Sequence, residues 1–151
     1  MLTVSDTRTL DTDVGGRMAA DLVEAEGHLV VERRLVPDEV DAIRSACEAL
    51  LDDERVECVV VTGGTGLTRR DVTVESLRPL FERELPGFGE LFRSLSCAEV
   101  GPAAMLSRAT AGVVKGRAVF LLPGSPAAVE LALTRLILPV VGHLVDQLDR
   151  A

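Results

Sequence analysis

With 151 residues, 47% of them hydrophobic, the chain has the material for one packed domain. A formal net charge of −8 and the absence of Trp and Tyr exclude the basic, base-stacking surfaces that hold nucleic acids. His28 and His143 are the only histidines, and Cys47, Cys58 and Cys97 are odd in number without C-x-x-C spacing, so histidine triads, zinc sites and disulfide frameworks lack material.

Residues 2–5 read as a short first strand, followed by a polar loop, SDTRTLDTDVGG. Met18, Ala19, Leu22 and Val23 recur at helical spacing over residues 17–26, with Gly27 placed to end the helix. An extended apolar stretch is expected from residue 29 to 36. Asp38 then sits where a helix N-cap belongs, ahead of the stripe Val40, Ile43, Cys47, Leu50 and Leu51. Capping alone accounts for an aspartate there. Residues 56–62 form a run apolar enough for a strand buried on both faces. Thr73 is the next expected N-cap, with Glu75 in the first turn, and Pro86-Gly87 is expected to close that segment. Phe88, Leu91, Phe92 and Leu95 mark a further helix, and residues 103–108 a short helical piece. Lys115-Gly116 is a turn signal between two strands at 109–114 and 117–122, and a long apolar helix from Ala127 should break near Pro139. Strands alternate with helices, the pattern of an α/β three-layer sandwich around a mostly parallel sheet. No apolar run reaches membrane-spanning length and the start, MLTVSDTRT, lacks the regions of a signal peptide, so a cytoplasmic location without membrane partners is expected.

The stretch at residues 59–75, VVVTGGTGLTRRDVTVE, carries the chemistry. Gly63, Gly64 and Gly66 free the backbone N–H groups of a turn to converge on an anion, and Arg69, Arg70 and Asp71 follow at once. Two guanidinium groups and a carboxylate at such a turn suit a phosphate held with a divalent cation. Neither common nucleotide signature is met: no lysine follows Gly63 at P-loop spacing, and Arg69 occupies the third glycine position of a dinucleotide fingerprint. A glycosidase-like pairing of Asp38 with Asp71 would leave the glycine turn unexplained. The SDT, GGTG and PGSP loops all follow expected strands, and loops at the carboxyl ends of parallel strands meet in one crevice.

Taken as a set, VSDTRT (4–9), LVPDE (35–39), VTGGTG (61–66), RDVT (70–73), PGFGELFR (86–93), AAMLSR (103–108) and LPGSPAAV (122–129) closely resemble the MoaB/Mog family of molybdenum cofactor biosynthesis proteins. The resemblance covers nearly the whole chain. It implies a trimeric or hexameric α/β protein that transfers AMP from ATP to molybdopterin with Mg²⁺, releasing pyrophosphate. It also admits a second role, a non-catalytic oligomer that binds the same ligands. By motif it points to Asp38 and Asp71 as the functional carboxylates and cation ligands. Ser5, Asp6, Thr62, Gly63, Gly64, Thr65, Gly66, Arg70, Pro123, Gly124, Ser125 and Pro126 become the expected substrate and nucleotide contacts. Two positions depart from the family pattern: Val74 stands where proline is usual, and Gly15 where a serine hydroxyl is usual.

Overall fold

A computed structural model describes residues 1–149. Its sheet follows from two strands whose alternate side chains are all apolar. In β3 (Cys58–Thr62), Val59 and Val61 face one side and Val60 the other; in β6 (Arg117–Leu122), Val119 and Leu121 face with Val59, while Ala118, Phe120 and Leu122 face away. Strands that are apolar on both faces need helices on both. On one side α2 (Val40–Leu51) and α3 (Thr73–Leu77) supply Ile43, Leu50 and Leu77. On the other, α1 (Val14–Ala25), α4 (Pro86–Val100), α5 (Pro126–Ala132) and α6 (Val141–Asp149) supply Ala19, Phe92, Val129 and the half-buried Leu144.

The remaining strands are β1 (Leu2–Val4), β2 (Arg34–Val36), β4 (Arg83–Glu84) and β5 (Thr110–Val114), and the order across the sheet is β2-β1-β3-β6-β5-β4. β2, β1, β3 and β6 run parallel, while β5 is antiparallel to both β6 and β4. The expected three-layer α/β sandwich with a mostly parallel sheet is therefore the fold. Lys115 and Gly116 join β5 to β6 with φ of 50° and 71°, the conformation of a tight two-residue hairpin.

Several local expectations are corrected. Helix α1 begins at Val14 rather than residue 17, because the buried Asp13 accepts Gly16 N–H at 3.0 Å and the Thr3 hydroxyl at 2.6 Å, capping the helix from below the sheet edge. Asp38 is not an N-cap: Glu39 holds that position, and no side chain caps α2. Thr73 is the first residue of α3, not its cap. Pro86 opens α4 rather than closing the preceding segment, and the two-residue β4 lies before it, too short to show in hydropathy. Of the stretch 29–36 only Arg34–Val36 pairs as strand. The final apolar helix widens into a π turn over Leu133–Ile137, where Leu138 N–H reaches Leu133 O at 2.9 Å, before it breaks at Pro139.

Candidate functional site

Three strands release the chain at one edge of the sheet. The loops after β1, β3 and β6 meet there with Asp38 and Asp71 around a crevice of about 520 Å³. The glycine turn forms its floor. Gly63, at φ 97°, sits so close to β1 that a Cβ would lie 2.2 Å from Val4 O. A Cβ on Gly64, at φ 64°, would lie 2.2 Å from the Thr73 hydroxyl oxygen and 2.9 Å from Asp38 Oδ1. Both positions therefore demand glycine on two counts, handedness and space.

Thr73 fixes the turn from behind: its hydroxyl donates to Gly63 O at 2.8 Å and its N–H to Gly64 O at 3.0 Å. Gly63 N–H is spent on Leu122 O, at 3.0 Å, and extends the β3–β6 ladder. Among the described residues no protein acceptor takes the N–H of Gly64 or Thr65, so these are the turn's available donors.

Asp6 is the knot that ties the crevice together. Its Oδ1 accepts Asp38 N–H at 3.0 Å, and its Oδ2 accepts Arg70 Nε and Nη2 at 2.9 and 2.7 Å. The Arg70 hydrogen bonds, then that from Asp38 N–H, hold the Asp6 carboxyl below its usual range. Ser5 turns the same loop, its hydroxyl accepting Thr7 N–H at 3.3 Å and Arg8 N–H at 3.2 Å.

The two carboxylates named by motif are tuned in opposite directions. Burial, then the charges of Asp6 and Asp71, push Asp38 above the usual carboxylate range. Burial would also raise Asp71, but the Thr68 hydroxyl and N–H, at 2.6 and 2.8 Å, outweigh it, helped by Gly66 N–H and Arg108, and hold it low. The Thr68 hydrogen bonds thus favour the Asp71 anion, whereas at Asp38 the Arg70 charge only partly offsets burial and the neighbouring carboxylates.

That donor set fits a hard divalent cation: two acceptor-only carboxylates close enough to repel, facing a wet crevice. Among the described residues no group of three or more His, Cys, Asp or Glu is placed to hold a metal ion, so a cation at these two carboxylates would have to take its remaining ligands from water or from a bound ligand.

Not every expected contact reaches the crevice. Ser5, Asp6, Asp38, Gly63 to Gly66, Asp71, Pro123 and Gly124 line it. Thr62 is buried inside the sheet, opposite Leu122, and Ser125 is occupied as the N-cap of α5, accepting Ala128 N–H at 3.3 Å, with Pro126 behind it. Arg70 lies outside the lining, engaged with Asp6. Two arginines were not singled out by spacing. Arg108 reaches over from the turn after α4: its Nε donates to Gly66 O at 2.8 Å, its Nη2 to Asp71 O at 2.9 Å, and its Nη1 pairs with Glu75. Arg8 lines the crevice and donates Nη1 to Gly124 O at 3.3 Å. Their only sequence signal was membership of the SDTR and LSR strings.

At the opposite end of the sheet lies a second, more enclosed cavity of about 350 Å³, walled mainly by apolar side chains such as Val23, Val31, Val59, Leu133 and Ile137. None of the carboxylates above comes near it.

Fold and crevice together define an α/β protein with a polar, glycine-floored crevice at the carboxyl ends of its parallel strands. The family model described as "Probable molybdopterin binding domain" matches residues 1–143. Molybdenum cofactor biosynthesis protein B of Bacillus subtilis is 48% identical over 151 residues, covering 99% of this chain and 89% of that one. A solved structure of a molybdenum cofactor biosynthesis protein B superposes with a TM-score of 0.96 at 44% identity, covering 99% and 94% of the two chains. The tungsten cofactor synthesizing protein MoaB from Pyrococcus furiosus superposes with a TM-score of 0.82 at 39% identity, covering 97% and 92%. The chain belongs to the MoaB/Mog family of molybdenum cofactor biosynthesis proteins.

Proposed function

We propose that the chain is a molybdopterin adenylyltransferase, joining molybdopterin to AMP from ATP with release of pyrophosphate. The observation that carries this reading is the meeting of Asp38 and Asp71 with a glycine turn whose Gly64 and Thr65 N–H groups are free to donate. A terminal phosphate oxygen of molybdopterin attacks the α-phosphorus of ATP; the bond from that phosphorus to the bridging oxygen breaks, and pyrophosphate leaves with the electron pair. No general base is required, because a phosphate monoester is already anionic near neutral pH. Mg²⁺, held by Asp71 and Asp38, would supply charge neutralisation on the transferring and departing phosphates. The chain's own contribution is placement: the turn's N–H groups receive phosphate oxygens, and Asp6 holds Asp38 in register.

The test is multiple turnover of ATP, molybdopterin and Mg²⁺, read as pyrophosphate formed, with Asp71→Ala alongside. Turnover by the wild type, lost in that variant, is the expected result. Equal turnover by the variant would overturn the cation assignment. Binding of both ligands without pyrophosphate would assign the crevice to the non-catalytic role. Location in the cytoplasm accords with the absence, among the described residues, of any single helix long and apolar enough to cross a membrane. Assembly as a trimer or hexamer is supported by Leu91 and Val100 of α4 and by Met105 and Leu106 just after it, all more than half exposed in the single chain. Sedimentation as a monomer would overturn the assembly.

A further inference from the structure

Three arginines, Arg8, Arg70 and Arg108, bond to residues that line the crevice, and they differ in what they have left to give. Arg70 spends Nε and Nη2 on Asp6, and Arg108 spends its fork on Gly66 O, Asp71 O and the Glu75 carboxylate. Arg8 makes a single contact, Nη1 to Gly124 O at 3.3 Å, and among the described residues no carboxylate pairs with it. Of the three, only Arg8 lines the crevice.

Its position is set by the fold. The Ser5 hydroxyl accepts Arg8 N–H and fixes the loop, and Gly124, to which the guanidinium is moored, packs so tightly that a Cβ there would lie 3.2 Å from Gly63 Cα. The guanidinium is thereby held beside the glycine turn, on the side of the crevice formed by the loop after β6. Asp38 and Asp71 are carried by other loops, so the guanidinium reaches the crevice from a different segment than these two carboxylates do. A carbonyl mooring satisfies one donor and leaves the charge uncompensated, with the rest of the planar fork free for phosphoryl oxygens.

We infer that Arg8, rather than Arg70, is the guanidinium that binds a phosphoryl group of the substrate. This rests on the adenylyltransferase reading for the identity of the ligands and not for the existence of the anion site. The phosphoryl group belongs either to the nucleotide or to the pterin, and binding measurements separate the two. Arg8→Gln keeps an N–H donor for Gly124 O while removing the charge, and Arg8→Lys restores the charge without the fork.

Titration calorimetry of the wild type and both variants with inorganic pyrophosphate, ATP and molybdopterin in separate arms is the experiment. Arg8→Gln should weaken binding by roughly 10- to 100-fold, as loss of a charge-assisted contact does, with Arg8→Lys recovering part of it. The wild-type affinity should fall with added salt more steeply than that of Arg8→Gln, a difference a purely structural brace would not produce. Loss in the ATP and pyrophosphate arms places the nucleotide's phosphates at Arg8, and loss in the molybdopterin arm alone places the pterin's phosphate there. Binding by Arg8→Gln within about twofold of wild type in every arm, or a loss that Lys does not recover at all, overturns the inference. So does a wild type that binds none of the three, a result that also removes the adenylyltransferase reading. Binding that depends on Arg8 without turnover removes only the catalytic reading.

Discussion

The two ends of the sheet are bounded by the same strands and are held together differently. At the amino ends, Val23, Val31, Val59 and Ile137 wall a cavity together with polar groups such as Glu32 and Arg55, and packing of hydrocarbon surfaces is joined there by hydrogen bonds such as that from the Met1 ammonium to Glu32 O at 2.9 Å. At the carboxyl ends the loops bring few apolar side chains to the crevice. They are tied instead by hydrogen bonds across the chain: Asp6 to Asp38 and Arg70, Thr73 to Gly63, and Arg108 to Gly66 and Asp71. Hydrophobic packing holds shape without direction, whereas a hydrogen-bonded turn fixes where each remaining N–H and carboxylate points. A site that must orient ligand groups suits the directional end for that reason, and the two ends should fail differently when altered.

The largest contrast is between Asp71→Ala and Leu121→Ala. The first should cut adenylylation at least about a thousand-fold, measured as pyrophosphate release in Mg²⁺, with a smaller stability loss of about 1 kcal/mol from the two Thr68 hydrogen bonds it gives up. The second, at a core position with no exposed surface, should cost about 2–5 kcal/mol in urea unfolding. A variant of either kind that lost both properties in full would erase the distinction between the two ends.

Gly64→Ala probes the join between them. Its Cβ would strike the Thr73 hydroxyl and crowd Asp38 in a backbone conformation disfavoured for L residues, so a stability loss of about 1–3 kcal/mol should accompany loss of turnover.

Asp38→Asn should separate the two properties in the other direction. Burial and the charges of Asp6 and Asp71 raise the Asp38 pKa, so its ionisation opposes folding above that raised value. In Mg²⁺-free buffer the amide should raise the thermal midpoint at neutral pH. The gain should vanish as the pH falls through the folded-state pKa toward the usual value of 3.8, where the wild type is itself protonated. Turnover should be lost at every pH. A midpoint no higher than wild type at neutral pH would show that the repulsion is relieved in some other way.

The smallest effects belong to Leu29→Ser and Gly15→Ser. Leu29 is 78% exposed near the apolar cavity, and its change should alter stability by no more than about 0.5 kcal/mol and leave turnover as it was. At Gly15 a Cβ would meet only Gly124 O at 3.8 Å and Pro126 Cγ at 3.9 Å. Serine fits there, and should add a few tenths of a kcal/mol through its better helix propensity, read in the same unfolding curves.

The fold class was legible in the chain alone. Alternating apolar runs in β3 and β6 require cover on both faces, and glycine-rich loops after β1, β3 and β6 require a common edge. The glycine turn and Asp71 were legible together in one contiguous stretch, whereas Asp38 joined them only through the family resemblance of LVPDE at 35–39. Helix starts were less legible. Asp13 was hidden as a cap because its second partner is Thr3, on a strand of the sheet, while Asp38 imitated a cap by occupying the right spacing with its side chain turned elsewhere. Which arginine brings an unpaired charge to the crevice came from the tertiary structure. Arg70 stands beside Asp71 in the chain, yet Asp6, 64 residues away in sequence, takes its charge; Arg8, unremarkable in its loop, keeps its own. Spacing reports which groups a segment carries, but the partner that neutralises a charge comes from whichever distant loop the sheet brings beside it.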